Sequence, residues 1–274
     1  MTNSSFRQVL VTGGGRRLGA AICEAFARAG WKVWCQYRAS RVEALALCES
    51  LRAQGWQAEA VEADITQEAG RRALLAQLTA EAPLACVVNN ASAFEPDTGL
   101  DFDADAAQRQ LGVNLIAPLS FARLVAQQPP GAAGDGERSA IHILDQKVYN
   151  LNPDYFSYTV SKLALERAVA LQAQALGPAV RVCGVAPGIL FESGPQTGDN
   201  FQRAARANLL RRPIDPADVA RSCVFLAETR SITGTTLSVD NGQHLVPLPR
   251  DIMFVVDELL KPVHAAPSSP SSSP

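Results

Sequence analysis

Short runs of Val, Ile, Leu and Cys recur along the chain, separated by longer stretches in which apolar positions return every three or four residues. The short runs predict strands over residues 9–12, 32–37, 58–62, 86–89, 140–145, 181–186 and 235–239. The longer stretches predict helices over 18–29, 40–54, 68–80, 103–127, 156–176 and 216–227, with Ser40 a candidate N-cap. The strand runs are of the type buried on both faces, and strands alternate with helices. An α/β fold is expected: one doubly wound domain, a parallel seven-stranded sheet with helices on both faces.

Two stretches interrupt the alternation. Residues 128–137, with Pro129, Pro130, Gly131, Gly134 and Gly136, read as a flexible surface connection. Residues 188–212 follow the sixth strand and read either as a mobile substrate lid or as surface elaboration. Their place past the carboxyl end of a parallel strand, where ligands bind in such sheets, favours the lid. Beyond Pro247 comes a short apolar stretch at 252–260, then a Ser/Pro tail at 265–274 that cannot bury a core and is expected to be disordered. The chain divides into a domain at 1–250 and a C-terminal extension at 251–274.

Composition narrows the class. A net charge of -2 gives neither the basic footprint of a nucleic-acid binder nor a membrane-attracting surface. The six cysteines (23, 35, 48, 86, 183 and 223) form no C-x-x-C pair, the usage of a reducing compartment. Residues 1–8 lack the apolar core of a signal peptide and no apolar run is long enough to cross a bilayer, so a cytoplasmic protein is expected. The acidic residues from Glu95 to Asp105 have no histidine near them and read as a solvated loop and helix start; no metal site is expected.

Two patterns carry chemistry. The turn Thr12-Gly13-Gly14-Gly15-Arg16-Arg17-Leu18-Gly19 follows the first strand and opens a helix, whose N-terminal dipole and free N–H groups can hold a pyrophosphate. At the end of the second strand stand Tyr37, Arg38 and Ser40, where an acidic residue would select NAD. Arg38, Ser40 and Arg16 suit a 2′-phosphate, which points to NADPH. Asp64, followed by Ile65, is placed either to accept from an adenine amino group or to cap a helix. Asn89 and Asn90 end the fourth strand, where short amides can pin the backbone beside a nicotinamide ribose. The second pattern is Tyr158 four residues before Lys162, one helical turn apart on the same face, with Asp145 upstream. The lysine charge is expected to favour phenolate, bringing proton exchange nearer neutral pH.

These residues resemble the short-chain dehydrogenase/reductase family from Val9 to about His244. Its T-G-x-x-x-G-x-G turn appears as Thr12–Gly19, its N-N-A-G as Asn89-Asn90-Ala91-Ser92 and its Y-x-x-x-K as Tyr158–Lys162. Its helix asparagine matches Asn114 and its P-G turn Pro187-Gly188. The resemblance implies a single Rossmann domain and a homotetramer or homodimer. It also implies that Tyr158 is the acid/base, that Lys162 binds the nicotinamide ribose and that Asn114 helps place a proton-relay water. Arg17 replaces a middle glycine, Asp145 a catalytic serine, and Ser92 a glycine, with Phe94 following. This set resembles the pteridine reductases and the bacterial dihydromonapterin reductases. There the matching arginine and serine contact pterin or cofactor phosphates, the phenylalanine stacks on the pterin, and the aspartate and tyrosine work on its ring nitrogens. Substrate contacts are therefore expected from Arg17, Ser92, Phe94, Asp145, Tyr158 and Leu190.

The chemistry is coherent without the family. Reducing a ring C=N needs hydride at carbon and a proton at nitrogen, and a carboxyl can pair with or protonate ring nitrogens. One aromatic face would hold a flat heterocycle. The leading expectation is an NADPH-dependent pterin reductase acting on a small-molecule substrate. Two readings compete with it. Asp145 would merely orient Tyr158 in a carbonyl or oxoacyl reductase, with Phe94 a packed loop aromatic, or the chain would sense NADPH without turnover. Enoyl reductases of the family set their tyrosine and lysine further apart than Tyr158 and Lys162.

Overall fold

The computed structural model describes residues 7–80, 82–129, 137–192 and 196–259. Seven strands form one sheet: β1 (Gln8–Val11), β2 (Lys32–Tyr37), β3 (Ala58–Glu62), β4 (Leu84–Asn89), β5 (Ser139–Ile143), β6 (Arg181–Pro187) and β7 (Thr236–Val239). Their spatial order is β3-β2-β1-β4-β5-β6-β7 and every pairing is parallel. Connections run outward from β1 to one side and from β4 to the other. The chain therefore splays apart above the carboxyl ends of β1 and β4, where such sheets open a crevice.

The pleat sends alternate residues into two separate cores. Val9 and Val11 of β1 enter one, with Ile22 and Phe26 of α1 (Arg17–Arg28), Leu51 of α2 (Arg41–Ala53) and Leu226 of α8 (Pro216–Glu228). Leu10 enters the other, with Leu74 of α3 (Glu68–Leu78) and Phe121 of α5 (Ala117–Ala126). Helix α6 (Phe156–Leu176) covers that second face further along, through Leu165 and Val169. Each large side chain so buried contributes about 1.5–3 kcal/mol relative to exposure.

The predicted helix at 103–127 is divided. Asp103 caps α4 (Ala104–Leu111) by accepting from Ala106 N, then Gly112–Ile116 form a π segment before α5 begins. Pro118 explains the break: it has no N–H to return to the carbonyl of Asn114, four residues earlier. The ladder widens, and Ala117 N donates to Gly112 O instead.

The strand expected at 140–145 stops at Ile143, because Asp145 turns the chain by accepting from Lys147 N. The segment at 188–212 contains a short helix, α7 (Gly198–Ala204). Helix α9 (Ile252–Leu259) packs against it: Leu248, Ile252, Val255 and Val256 cover Ala204, with Ile189 and Ala207 at the edge. Residues 130–136 of the predicted connection and the Ser/Pro tail at 265–274 lie outside the described residues. Among the described residues no helix is long and apolar enough to cross a membrane.

Candidate active site

Above β1 and β4 lies a cleft of ≈ 720 Å³. Its floor is the glycine turn, held from two sides. Gly13, at φ 62°, donates its N–H to Gln36 Oε1 at 3.0 Å. Asn90 Nδ2 donates to the carbonyls of Thr12 and Gly13, while Thr12 Oγ1 accepts from Asn90 N and Ala91 N. No side chain larger than hydrogen fits at Gly19, where a Cβ would stand 2.2 Å from Gly13 O. At Gly188 a Cβ would meet Gln243 Oε1 at 2.4 Å. Helix α1 begins with Arg16 making no side-chain cap, so its first N–H groups are left for a ligand. The turn thus has the close approach and the uncapped helix that a pyrophosphate requires.

Arg16, Arg38, Ser40 and Ile65 all line the cleft, the last three following the ends of β2 and β3. Ser40 precedes α2 as expected but makes no side-chain cap, and the residue lines the cleft. Arg16 also reaches Glu43 at 3.5 Å, and both are well exposed. Leu18, Asn90, Ala91, Ser92, Pro187, Gly188 and Leu190 also line the cleft. Two expected cofactor residues do not. Tyr37 is buried and its hydroxyl donates to Glu62 Oε2 at 3.3 Å. Asp64 is exposed and accepts from both the N–H and the hydroxyl of Thr66, a local turn that holds its carboxyl below the usual range. Its neighbours Ile65 and Thr66 reach the cleft in its place.

Asp145, Tyr158 and Lys162 meet in the same cleft. Tyr158, 6% exposed, donates its hydroxyl to Asp145 Oδ2 at 2.8 Å. Lys162 Nζ donates to the carbonyl of Ile143 at 2.7 Å and sits 5.6 Å from the centre of the Tyr158 ring. This arrangement corrects the expected acidic phenol. Burial first, then the charge and hydrogen bond of Asp145, push the Tyr158 pKa well above its ordinary value. Burial raises Asp145 as well, against the opposing pull of the Lys147 N–H and charge. It also pushes Lys162 down to about 8, despite the Asp145 charge. The phenol is therefore held as a proton donor, with a buried carboxyl as its immediate partner.

Asn114 is 1% exposed and lies behind the cleft wall. Its Oδ1 accepts from Ala93 N and from the Ser92 hydroxyl, and its Nδ2 donates to Ala93 O and to Ser161 Oγ. With every polar atom of its side chain so engaged, Asn114 ties the Ser92–Ala93 loop to α6. Phe94 does line the cleft, 37% exposed, but one face stacks on Tyr155 at 4.0 Å and 17°. Its ring also meets Tyr158 edge-on at 4.7 Å. It is thus both a packed loop aromatic and a cleft residue. Arg17 lies in the left-handed region at φ 51°, its guanidinium 6.0 Å from the Phe191 ring.

Sequence reasoning missed three parts of the wall. Gln36 braces the glycine turn, yet inside a strand of buried type nothing marked its amide. Lys147, 3% exposed, donates to Asp251 Oδ2 and to Asp154 O, both at 3.0 Å. Leu248, Asp251, Ile252 and Met253 bring the C-terminal segment into the cleft. Arg250 fastens this segment through a bidentate pair with Asp154, whose Oδ2 also accepts from Asp251 N. The residues from Glu95 to Asp105 act locally: Asp97 caps α6 at Ser157 N, Asp101 holds Thr98, and Asp103 caps α4.

A family model described as enoyl-(acyl carrier protein) reductase matches residues 15–244. An uncharacterised oxidoreductase of Mycobacterium tuberculosis is 35% identical over 244 residues, covering 85% of this chain and 90% of that protein. A dihydromonapterin reductase of Citrobacter koseri is 28% identical over 249 residues, covering 86% of this chain and 96% of that one. Among solved structures, FolM alternative dihydrofolate reductase 1 from Brucella canis, complexed with NADP, is similar with a TM-score of 0.83. It shares 35% identity and covers 90% of this chain and 97% of its own.

Proposed function

The chain belongs to the short-chain dehydrogenase/reductase family, and on that premise we propose that it is an NADPH-dependent reductase of a pterin, taking a dihydropterin to the tetrahydro form. The observation that carries this reading is the Tyr158–Asp145 pair, a buried phenol donating to a buried carboxyl at 2.8 Å, with Phe94 against the phenol ring in the same cleft. A relative named dihydromonapterin reductase and an NADP-complexed neighbour named alternative dihydrofolate reductase support it. The matched model takes its description from enoyl reductases, but Tyr158 and Lys162 stand closer together than the pair in that branch.

The residues divide the work. The N–H groups at the start of α1, with Gly13 and Gly19, would hold a pyrophosphate, while Arg16, Arg38 and Ser40 would hold the 2′-phosphate. Lys162 would hold the nicotinamide ribose, with Asn90, Ala91, Pro187 and Gly188 shaping that end. When bound, NADPH supplies the hydride for the ring carbon of the C=N bond. Tyr158 gives its proton to the adjacent nitrogen, the Asp145 carboxyl holds the phenol in place through the bond it accepts, and a proton from solvent restores the phenol. Phe94 stacks on the ring, and Arg17, Ser92 and Leu190 complete its contacts. Phe156 and Val160 of α6 and Ile116 at the head of α5 remain exposed, an apolar surface that a second copy would cover. A cytoplasmic homotetramer or homodimer belongs to this reading, as does the division into a reductase domain at 1–250 and an added segment from 251.

The Tyr158–Asp145 bond also favours a second reading, in which Asp145 only orients the phenol of a carbonyl or oxoacyl reductase. NADPH oxidation followed with a dihydropterin, with dihydrofolate and with a panel of ketones separates the two. Turnover of the dihydropterin is expected. Turnover confined to ketones would hand the site to the second reading, and NADPH binding without any turnover would favour a sensor.

A further inference from the structure

Gln146 follows Asp145 directly and lies in the short 3₁₀ turn Gln146–Val148 at the carboxyl end of β5. It is 7% exposed and lines the cleft. Its Oε1 is buried with no hydrogen-bond donor among the described residues. Asn152, a few residues on, lines the same cleft, and its Oδ1 is buried and unpartnered too. An unsatisfied buried amide weakens a fold, and both of these belong to residues that line one cleft, where a small side-chain rotation would bring each oxygen to a ligand.

We propose that Gln146 is a specificity-determining residue that accepts hydrogen bonds from hydroxyl groups on the substituent borne by the reduced carbon, with Asn152 beside it. The proposal rests on the pterin reading. In a dihydropterin the C=N carbon that takes hydride also carries the side chain, one bond from the nitrogen that takes the proton. A substituent on that carbon starts beside Tyr158 and Asp145, hence beside the next residue in the chain. The ring's amino edge lies at the opposite end of the molecule.

The surroundings specify the class of substituent. Buried carbonyl oxygens welcome O–H groups and disfavour carboxylates. The nearby ammonium of Lys147 is already committed to Asp251, and the guanidinium of Arg250 to Asp154. Leu248, Ile252 and Met253 supply an apolar wall from the C-terminal segment. A short, neutral, hydroxylated side chain fits this end of the cleft better than a tail ending in glutamate.

Fluorescence titration of the full chain, saturated with NADP⁺, against 6-(1,2-dihydroxypropyl)pterin and 6-methylpterin tests the proposal without requiring turnover. The hydroxylated pterin should bind about tenfold more tightly, the worth of roughly one to two hydrogen bonds. Gln146→Leu should erase that preference and raise the Tm of the ligand-free protein, because it removes a buried unsatisfied amide. A merely structural glutamine would lower the Tm and weaken both pterins alike. Gln146→Met is a second apolar variant for the same comparison. Equal affinity of the two pterins for the unmodified protein, or a preference that survives both substitutions, overturns the proposal. A preference lost in the variants but unaccompanied by dihydropterin reduction would keep the subsite and overturn the reductase reading. Failure of both pterins to bind overturns both.

Discussion

Tyr158 shows at the scale of one side chain how burial reverses a sequence-based expectation. Spacing alone correctly puts Tyr158 and Lys162 one turn apart, and both reach the cleft. It cannot show that the phenol points at Asp145 while the ammonium is anchored on Ile143 O. The sign of the electrostatics follows from those contacts, which depend on where β5 ends. Lys162 carries a measurable consequence. Its pKa is lowered by burial from 10.5 to about 8, so between those values the unfolded chain binds more protons than the native one. The group's burden on stability, about 3 kcal/mol at neutral pH, is therefore relieved as pH rises from 8 to 10.5. Lys162→Met removes that burden, so the stability difference between variant and unmodified protein should shift by about that amount toward the unmodified protein across this window. Urea unfolding at pH 7 and at pH 10 measures it; a difference that stays constant with pH would mean the ammonium is not desolvated.

The glycine turn and the helix behind it were legible as elements because their residues have no alternative use in that order. Gly13 needs a positive φ and Gly19 has no room for a Cβ. Arg17 breaks the rule it sits among. A non-glycine residue at φ 51° is strained by roughly 1–2 kcal/mol, yet it carries a cation into the cleft. Arg17→Gly should therefore stabilise the fold by about 1 kcal/mol while weakening substrate binding at least tenfold, a trade expected where strain serves function. Thermal unfolding together with KM values checks both halves; a destabilised variant with unchanged KM would make the arginine structural. The division of the helix at 103–127 was less legible. Periodicity runs through the π segment unbroken, and only Pro118 hints that Asn114 loses its helical partner.

At the scale of the whole molecule the parallel sheet followed from the alternation of buried-type strands with helices, while its strand order is visible only in the structure. The C-terminal wall did not. The short apolar pattern at 252–260 does not reveal it, and only the three-dimensional path brings Asp251 to Lys147 and Arg250 to Asp154. Gln36 and Lys147 escaped notice for the same reason, since each acts on a segment distant in sequence or at a turn. What the parts build together is a crevice with a dinucleotide cradle at one end and a proton-donating phenol at the other. Single-turnover reduction of a dihydropterin by the unmodified protein and by Tyr158→Phe, with NADPH affinity measured alongside, addresses that claim directly. The rate should fall by about 10²–10⁴-fold, the usual worth of a positioned acid, while the NADPH Kd changes less than about twofold. A Tyr158→Phe protein that reduces the dihydropterin at the unmodified rate would contradict the account.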